Sequence, residues 1–296
     1  MGLSLSADLA LRERIMERLA HLRNQSGGTV TRDQLTKFDF DGEQRRLVDA
    51  SRGIWNPRDL NATLSIISSP DGPYDDRQVD RGFFVYAYRA GSTDGDNRKL
   101  RAAIEPSMPM ILLLKLKAGL FVPVFPVFAV ADNPKARHFL IALDESLRFI
   151  EHPENLSEPV KQYAEQVTRR RLHQPVFRAS VIRAYETRCA VCHLQHGELL
   201  DAAHIVPDSD DAGLPLVSNG LSLCKIHHAA YDQNLLGIRP DSVVEINQAL
   251  LAERDGPMLK YGLQQMHGAA IALPRRKVER PNTDALAWRY EQFKAS

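Results

Sequence analysis

The sequence predicts an α+β protein of two domains. The chain has 296 residues, which is enough for two domains of ordinary size, each with its own core. Its N-terminal half contains short apolar runs between turn residues, and all three cysteines lie between positions 189 and 224 of the C-terminal half. We therefore expect a strand-rich domain over residues 1–150, a helical connector over 151–175 and a metal-binding domain over 176–296.

The N-terminal domain begins with a predicted helix over residues 7–25, where Leu11, Ile15 and Leu19 recur at the spacing of one helix face. A second, short helix is expected over residues 95–104. Apolar runs bounded by turn residues predict strands at Thr63–Ile67, Gly82–Tyr88, Met110–Lys117, Leu120–Val130 and Phe139–Leu143. Pro123 and Pro126 indicate an edge or a bulge within the fourth run. Several irregular strands joined by turns favour a compact, barrel-like sheet.

The connector contains a predicted helix over residues 158–171 that ends at Arg169-Arg170-Arg171. These arginines form either a solvated helix face or a contact with phosphate groups. The last domain is predicted to contain a helix over 174–185, then strands over 201–206 and 219–223, a helix over 224–235 and a strand over 243–246.

The overall charge gives no sign of the partner, because a net charge of +1 is close to zero. A nucleic-acid surface would therefore have to be a local basic patch. No apolar run approaches the roughly 20 residues of a membrane-spanning helix. The first 20 residues mix Arg and Glu with Leu, unlike an export signal, so the cytoplasm is the expected location.

The cysteines predict a structural zinc site. Cys189-x-x-Cys192 and Cys224-x-x-His227 give two pairs of ligands, which suits a closed tetrahedral zinc ion. An odd number of clustered cysteines in a reducing compartment favours a metal over a disulfide. Two alternatives stay open: the thiols could be buried without a metal, and His228 could replace His227. The equal spacing of the two pairs favours His227.

A hydrolytic centre is predicted in the segment from Asp201 to Asp232, which overlaps the second pair of zinc ligands. His204 and Asn219 lie on adjoining strands, and His228 and Asp232 share a face of the following helix. The motif from Leu200 to Pro207, followed by Asn219 to His228, resembles the ββα-metal fold of HNH nucleases. The resemblance implies that His204 activates water, Asn219 orients the site and His228 binds a catalytic Mg²⁺ or Mn²⁺. A neutral imidazole can accept the proton of water, and the cation stabilises charge on the phosphate.

One position departs from that family. Many members carry an acidic or histidine metal ligand directly before the general base, where this chain has Ala203. Because side chains alternate along a strand, Asp201 shares a face with Ala203. Asp201 is therefore the first candidate for the second ligand, and Asp232 is the alternative. On simpler interpretations, His204 is a satisfied core histidine, and Asn219-Gly220 is a turn.

The N-terminal domain contains a second resemblance. Gly72-Pro-Tyr74-Asp75-Asp76, followed by Gly82 to Gly91 and Asp96 to Lys99, resembles the SRA domain, a PUA-like barrel that flips a modified cytosine out of duplex DNA. The resemblance implies that Tyr74 is the first aromatic residue that stacks on the flipped base. It implies that Asp76 or Asp75 binds the cytosine edge, and that Tyr86 or Tyr88 is the second stacking aromatic residue. Alternatively, these tyrosines belong to the core or surface of the sheet.

Taken together, the chain resembles the SRA–HNH modification-dependent restriction endonucleases of bacteria, a type IV-like phage defence. The resemblance implies recognition of 5-methylcytosine or 5-hydroxymethylcytosine in double-stranded DNA and hydrolysis of nearby phosphodiesters. One ββα-metal site cuts one strand, so a double-strand break suggests a homodimer. The alternatives are an HNH endonuclease that senses a different modification or none, and a non-catalytic zinc-containing DNA-binding module.

Overall fold

The computed structural model describes residues 3–69, 79–80, 83–88, 94–150, 152, 155–210 and 212–296. The chain forms two compact units, Met1–Asn24 with Gly28–Pro175 and Gln25–Gly27 with Val176–Ser296. Both units mix helices and strands, as the sequence predicts. Among the described residues, no helix has the length and apolar character needed to span a membrane.

The first unit is built around a sheet. Its helices are α1 Leu5–Gln25, α2 Arg32–Thr36, α3 Asn97–Arg101 and α4 Glu158–Thr168, with a 3-10 turn at Glu145–Phe149 and a π-helical turn at Arg169–His173. Its strands are β1 Val30–Thr31, β2 Phe38–Phe40, β3 Glu43–Arg45, β4 Ile54–Trp55, β5 Ser65–Ser68, β6 Val79–Asp80, β7 Phe83–Ala87, β8 Met110–Lys117, β9 Leu120–Asn133 and β10 His138–Ala142.

The main sheet has the order β4-β5-β8-β9-β10-β7-β6, and β1 pairs with β9 outside this path. The pair β5–β8 is parallel, and the other pairs are antiparallel. A register shift between Met110 and Leu112 falls opposite Phe125 and Pro126, so the proline marks a bulge in a central strand. Among the described strands no pairing joins β4 to β6, so the sheet is a half-barrel rather than the closed barrel that the SRA resemblance implies.

Apolar side chains cover both faces of this sheet. Met110 and Leu112 belong to one core cluster, whereas Ile111 and Leu113 belong to a second one, because successive side chains of β8 point to opposite faces. α1 packs on the second face through Ile15 and its helical neighbours. Burial on both faces explains why β8 is an unbroken apolar run rather than an alternating one.

A buried ion pair holds α1 in place. Arg12 and Asp8 have fully buried side chains, and Arg12 Nε lies 2.6 Å from Asp8 Oδ1. The Arg12 guanidinium also donates to the carbonyls of Ala62, Thr63 and Pro109 at 2.7–2.8 Å. Burial lowers the pKa of Arg12, and the hydrogen bond with Asp8 opposes that effect. Each charge is thus paired, as a buried charge must be.

The second unit is built around a two-stranded hairpin and a helix. In chain order its elements are α5 Gln174–Ala184, β11 Leu200–His204, β12 Gly220–Cys224, α6 Lys225–Asp232, β13 Leu236–Ile238, β14 Val244–Ile246, α7 Gln248–Ala252, α8 Pro257–Gly262 and α9 Thr283–Lys294. Short 3-10 turns lie at Gly197–Leu199, Val217–Asn219, Gln264–Met266 and Lys277–Glu279. A single apolar cluster joins α5, the hairpin and α6.

Candidate active site and metal cluster

The scaffold of the site is the antiparallel hairpin of β11 and β12 followed directly by α6. Leu200 pairs with Cys224 and His204 with Gly220, so the hairpin is in register over five residue pairs. Cys224 is the last residue of β12 and also the N-cap of α6, with extended backbone angles. The last strand residue and the first turn of the helix therefore present Cys224, His227 and His228 from one short segment.

The four residues predicted as zinc ligands come together. The ligand atoms of Cys189, Cys192, Cys224 and His227 all lie within 4.8 Å of one another. His227 Nδ1 is 3.4 Å from Cys189 Sγ and 3.1 Å from Cys224 Sγ. The other ring nitrogen, Nε2, lies 2.7 Å from the carbonyl oxygen of Gly262, to which it can donate. Such an outer hydrogen bond fixes the ring and its tautomer, so Nδ1 faces the sulfur atoms as a ligand.

The chemistry of this cluster fits a zinc ion. Hydrogen bonds from Cys192 and Cys224 lower the pKa of the Cys189 thiol, which favours the thiolate that binds metals. Three sulfur atoms and one imidazole nitrogen are a donor set typical of structural zinc. The cluster could therefore hold zinc through residues that all belong to the second unit.

His204, the predicted general base, stacks on Phe177 of α5. The two ring centroids lie 4.1 Å apart with an interplanar angle of 14°. Burial lowers the pKa of His204 below its ordinary value of 6.5. Asp208 opposes this shift, and the charge of His228 adds to it. A lowered pKa keeps the imidazole neutral at pH 7, which is the state that accepts a proton.

Gly220 allows this stacking. It pairs with His204 across the hairpin. A Cβ atom at Gly220 would lie 2.4 Å from Val181 Cγ2 and 2.9 Å from Phe177 Cζ, which is closer than atoms can approach. The hairpin and α5 can therefore meet only where this strand position has no side chain. Gly220 is a packing requirement here, and the Asn-Gly pair is not a two-residue turn, since Gly220 lies in β12.

Asn219 holds the loop that follows β11. Its Oδ1 accepts from the Val206 backbone at 2.9 Å, and its Nδ2 donates to the carbonyls of Val206 and Leu214 at 3.0 and 3.1 Å. The side chain is buried, and these three bonds satisfy it. Its described hydrogen bonds thus go to the loop backbone, which orients the segment after His204.

His228 lies between two carboxylates. Its Nδ1 is 3.7 Å from Asp201 Oδ2, and its Nε2 is 3.4 Å from Asp232 Oδ2. The interaction with Asp201 raises the pKa of His228 above 6.5 against the effect of burial. Both candidates for the second cation ligand therefore contact His228, but at different ring nitrogens. An imidazole with carboxylate oxygens beside it is a donor set that Mg²⁺ or Mn²⁺ accepts.

Arg178 of α5 fixes Asp201. Arg178 Nε lies 3.2 Å from Asp201 Oδ1, and its NH2 group donates to the carbonyls of Leu200 and Gly197 at 2.6 and 3.2 Å. Burial alone would raise the pKa of Asp201, but the interaction with His228 and the bond from the Ala202 backbone lower it. Asp201 is thus held as a carboxylate whose second oxygen faces His228.

Phe177 and Arg178 were missed by the sequence analysis. The two residues are consecutive on α5, yet one packs on His204 and the other binds Asp201. Both residues lie more than 20 positions before their partners His204 and Asp201, and a separation of that length does not predict a contact. The sequence offered one signal for these roles. Phe177 and Arg178 lie in a helix that was predicted to lead directly into the first cysteine pair, next to the site.

The residues predicted to bind a modified base are less fully described. Tyr74, Asp75 and Asp76 lie outside the described residues. Tyr86 and Tyr88 are 1% and 2% exposed within the core of the first unit. The Tyr86 hydroxyl donates to the Gly53 carbonyl at 3.2 Å, and the Tyr88 hydroxyl donates to Asp132. Their role in base stacking stays a prediction.

Comparison with known proteins gives the family of the domain that contains these residues. Residues 189–239 match the family model of HNH endonucleases. The chain therefore carries an HNH endonuclease domain and is a metal-dependent DNA endonuclease. No curated protein matches the sequence.

Two solved structures are similar to the chain at low identity. The "Modification dependent TagI restriction endonuclease" is 16% identical, with 88% of this chain and 90% of that chain covered and a TM-score of 0.32. The "Type IV phosphorothioation-dependent restriction endonuclease ScoMcrA" is 12% identical, with 83% of this chain and 52% of that chain covered and a TM-score of 0.24.

Proposed function

We propose that this endonuclease is a modification-dependent restriction enzyme of type IV character. In this proposal the first unit binds double-stranded DNA that carries 5-methylcytosine or 5-hydroxymethylcytosine, and the second unit hydrolyses a nearby phosphodiester. The observation that carries the hydrolytic half is the presence of a half-buried His204 with a lowered pKa and an acid-flanked His228 on one hairpin-helix scaffold.

The residues divide the hydrolytic work by their environments. His204 accepts the proton of the attacking water, since its burial against Phe177 keeps the imidazole neutral. His228 would hold the catalytic Mg²⁺ or Mn²⁺ together with Asp201, and Asp232 is the alternative carboxylate. When bound, such an ion stabilises the charge that develops on the phosphate oxygens. Asn219 keeps the loop after His204 in place.

The four-residue cluster has a structural role in this proposal. Three cysteines and His227 would fill all positions of a tetrahedral zinc ion, which leaves none for substrate. The ion would fix the loop of Cys189 and Cys192 against the start of α6. His227 and His228 thus belong to different metal sites although they are adjacent in sequence.

The sensing half of the proposal rests on the resemblance between residues 74–99 and the SRA motif. Flipping a base costs a few kcal/mol, which stacking and hydrogen bonds in a pocket must offset. Tyr74 with Tyr86 or Tyr88 would supply the stacking, and Asp75 or Asp76 would accept from the cytosine amino group. A second copy of the chain would cut the opposite strand, so we propose a homodimer on modified DNA.

A plasmid digest tests both halves. Matched plasmids, one with methylated or hydroxymethylated cytosines and one without, are incubated with the wild-type protein and Mg²⁺ or Mn²⁺. We expect cutting of the modified plasmid alone, and no cutting by the His204→Ala protein. Equal cutting of both plasmids would refute cytosine sensing and leave the endonuclease. An absence of cutting on every DNA tested would favour the non-catalytic alternative.

A further inference from the structure

A basic cleft in the first unit contains none of the proposed catalytic or zinc-binding residues. It has a volume of about 430 Å³ and is formed by the end of α1, the β9 bulge and the helix that contains the π-helical turn. Three arginines line it against a single carboxylate; the lining includes Arg23, Phe125, Asp144, Tyr163, Arg170 and Arg171. For a chain with a net charge of +1, this is a local concentration of positive charge.

The π-helical turn that carries two of the arginines has a sequence cause. Pro175 has no backbone N–H, and its ring would clash with the carbonyl four residues earlier in a regular helix. The helix relaxes one turn before the proline, where the Gln174 N–H donates to the Arg169 carbonyl, five residues back. Such single turns occur frequently at functional sites. Here Arg170 and Arg171, which are consecutive, both line the cleft.

The cleft is preorganised on its inner side. The Arg171 guanidinium donates to the Phe125 carbonyl at 2.6 Å and lies 3.6 Å from Asp144 Oδ2. The other oxygen of Asp144 accepts from the Ser146 backbone at 3.0 Å and from Tyr163 at 3.2 Å. These bonds lower the pKa of Asp144 against the effect of burial. The single carboxylate of the lining is paired with Arg171, so the three arginines leave the lining with a net positive charge.

The outer side of the cleft presents charge to solvent. Arg170 is exposed, and its side chain makes no hydrogen bond or ion pair with the residues that the structure describes. The Arg23 guanidinium lies over the Phe125 ring, 5.0 Å from its centroid. Tyr163 is 42% exposed at the same cleft. Guanidinium groups beside aromatic rings at an open surface suit a phosphate with an attached nucleoside.

We infer that this cleft binds a backbone phosphate of a DNA strand, with its adjoining nucleoside against Tyr163 and Phe125. The inference rests on the proposed function, because it assigns the first unit a contact with the DNA substrate. A strand is favoured over a free nucleotide, because Arg170 and Tyr163 are exposed and do not enclose a ligand. The contact is to the backbone and would not distinguish modified from unmodified DNA.

The test measures binding of full-length protein to an unmodified duplex, with His204→Ala as the background to prevent cutting. Arg170→Ala is compared with Arg169→Ala, a neighbouring exposed arginine of the same turn that does not line the cleft. We expect Arg170→Ala to weaken binding about tenfold and to reduce the slope of log K against log salt by about one. Arg169→Ala should leave both quantities close to those of the background protein.

Two results would overturn the inference. One is equal affinity and salt dependence for the two variants. The other is Arg170-dependent binding of deoxycytidine 5′-monophosphate without any change in duplex binding, which would make the cleft a free-nucleotide site. Cutting by the protein with an intact His204 is assayed in parallel. If duplex binding depends on Arg170 but no DNA is cut, the proposed function is refuted and the assignment of the cleft as a phosphate site is kept. If modified DNA is cut but duplex binding does not depend on Arg170, only the assignment of the cleft is refuted.

Discussion

The two clusters of the second unit use neighbouring histidines in opposite ways. His227 is 2% exposed, with one ring nitrogen against two thiols and the other against a carbonyl. The side chain of His228 is 24% exposed and lies between the carboxylates of Asp201 and Asp232. Consecutive residues of a helix point about 100° apart, so one ring enters the core and the other lies beside two partly exposed carboxylates. We therefore propose that environment, rather than residue type, gives the two imidazoles different roles.

The largest effect on stability is expected from a substitution of His227, which removes the difference between the two histidines. His227→Ala should lose the zinc ion, and structural zinc contributes roughly 10–16 kcal/mol to small metal-dependent folds. That exceeds the usual stability of a domain, so the second unit should unfold. His228→Ala is the matched control, which should keep about one zinc ion per chain and a melting temperature close to that of the wild type. Metal analysis with thermal denaturation measures both; equal zinc content in the two variants would contradict the assignment.

The second effect concerns the rate. His204→Ala should lower the cleavage rate about 10²- to 10⁴-fold, because a positioned general base contributes that much. His196, an exposed histidine of the same unit, provides the control, and His196→Ala should cut at the wild-type rate. Single-turnover assays on a modified duplex give both rates. A His204→Ala protein that cuts as fast as the wild type would remove this imidazole from the mechanism.

The sequence predicted the hairpin, α6 and the four-residue cluster because each depends on local spacing. Cys189 to Cys192 and Cys224 to His227 are short separations that a turn and a helix start convert into geometry. The roles of Phe177 and Arg178 depend instead on how α5 packs against the hairpin. That packing is a tertiary property, and a phenylalanine or an arginine in a helix does not by itself predict it.

The first unit was less predictable for a physical reason. The five predicted strands occur, and the proline of β9 marks a bulge, but pairing order is set by contacts distant in sequence. The parallel pairing of β5 with β8 has no local signature. Likewise, the sequence of Arg169 to Arg171 is compatible with either solvent or phosphate contact. Within the π-helical turn only Arg170 and Arg171 of these three line the cleft, which the sequence alone does not reveal.

A third prediction separates the two carboxylates of His228. Asp201→Asn should raise the Mn²⁺ concentration that gives half-maximal cutting by at least about 10- to 100-fold, because loss of even an outer-shell partner of a metal ligand costs that much. Asp232→Asn should have a smaller effect, because Asp232 is more exposed and Arg178 holds only Asp201. Metal titrations of cleavage measure both variants. A larger effect from Asp232→Asn would exchange the two roles.

A fourth prediction addresses the contact between the hairpin and α5. Gly220→Ala should destabilise the protein by about 1–3 kcal/mol, because the added methyl group meets Val181 and Phe177. Gly256→Ala is the control, since a Cβ atom there has no neighbour within 4 Å and φ is −64°. Chemical denaturation gives both values. Equal stabilities would show that α5 can move away from His204 at little cost.

The smallest effect is a change in pH dependence. His204 acts as a base only when neutral, so the cleavage rate should fall as pH drops through its pKa and level off above it. Burial lowers that pKa, which places the acidic limb below pH 6.5. Phe177→Leu keeps an apolar side chain but removes the stacked ring, so water gains access and the pKa should rise towards 6.5. The acidic limb of kcat/KM should then move to higher pH by less than about one unit, or 1.4 kcal/mol. A limb that stays in place would show that Phe177 positions His204 without setting its charge.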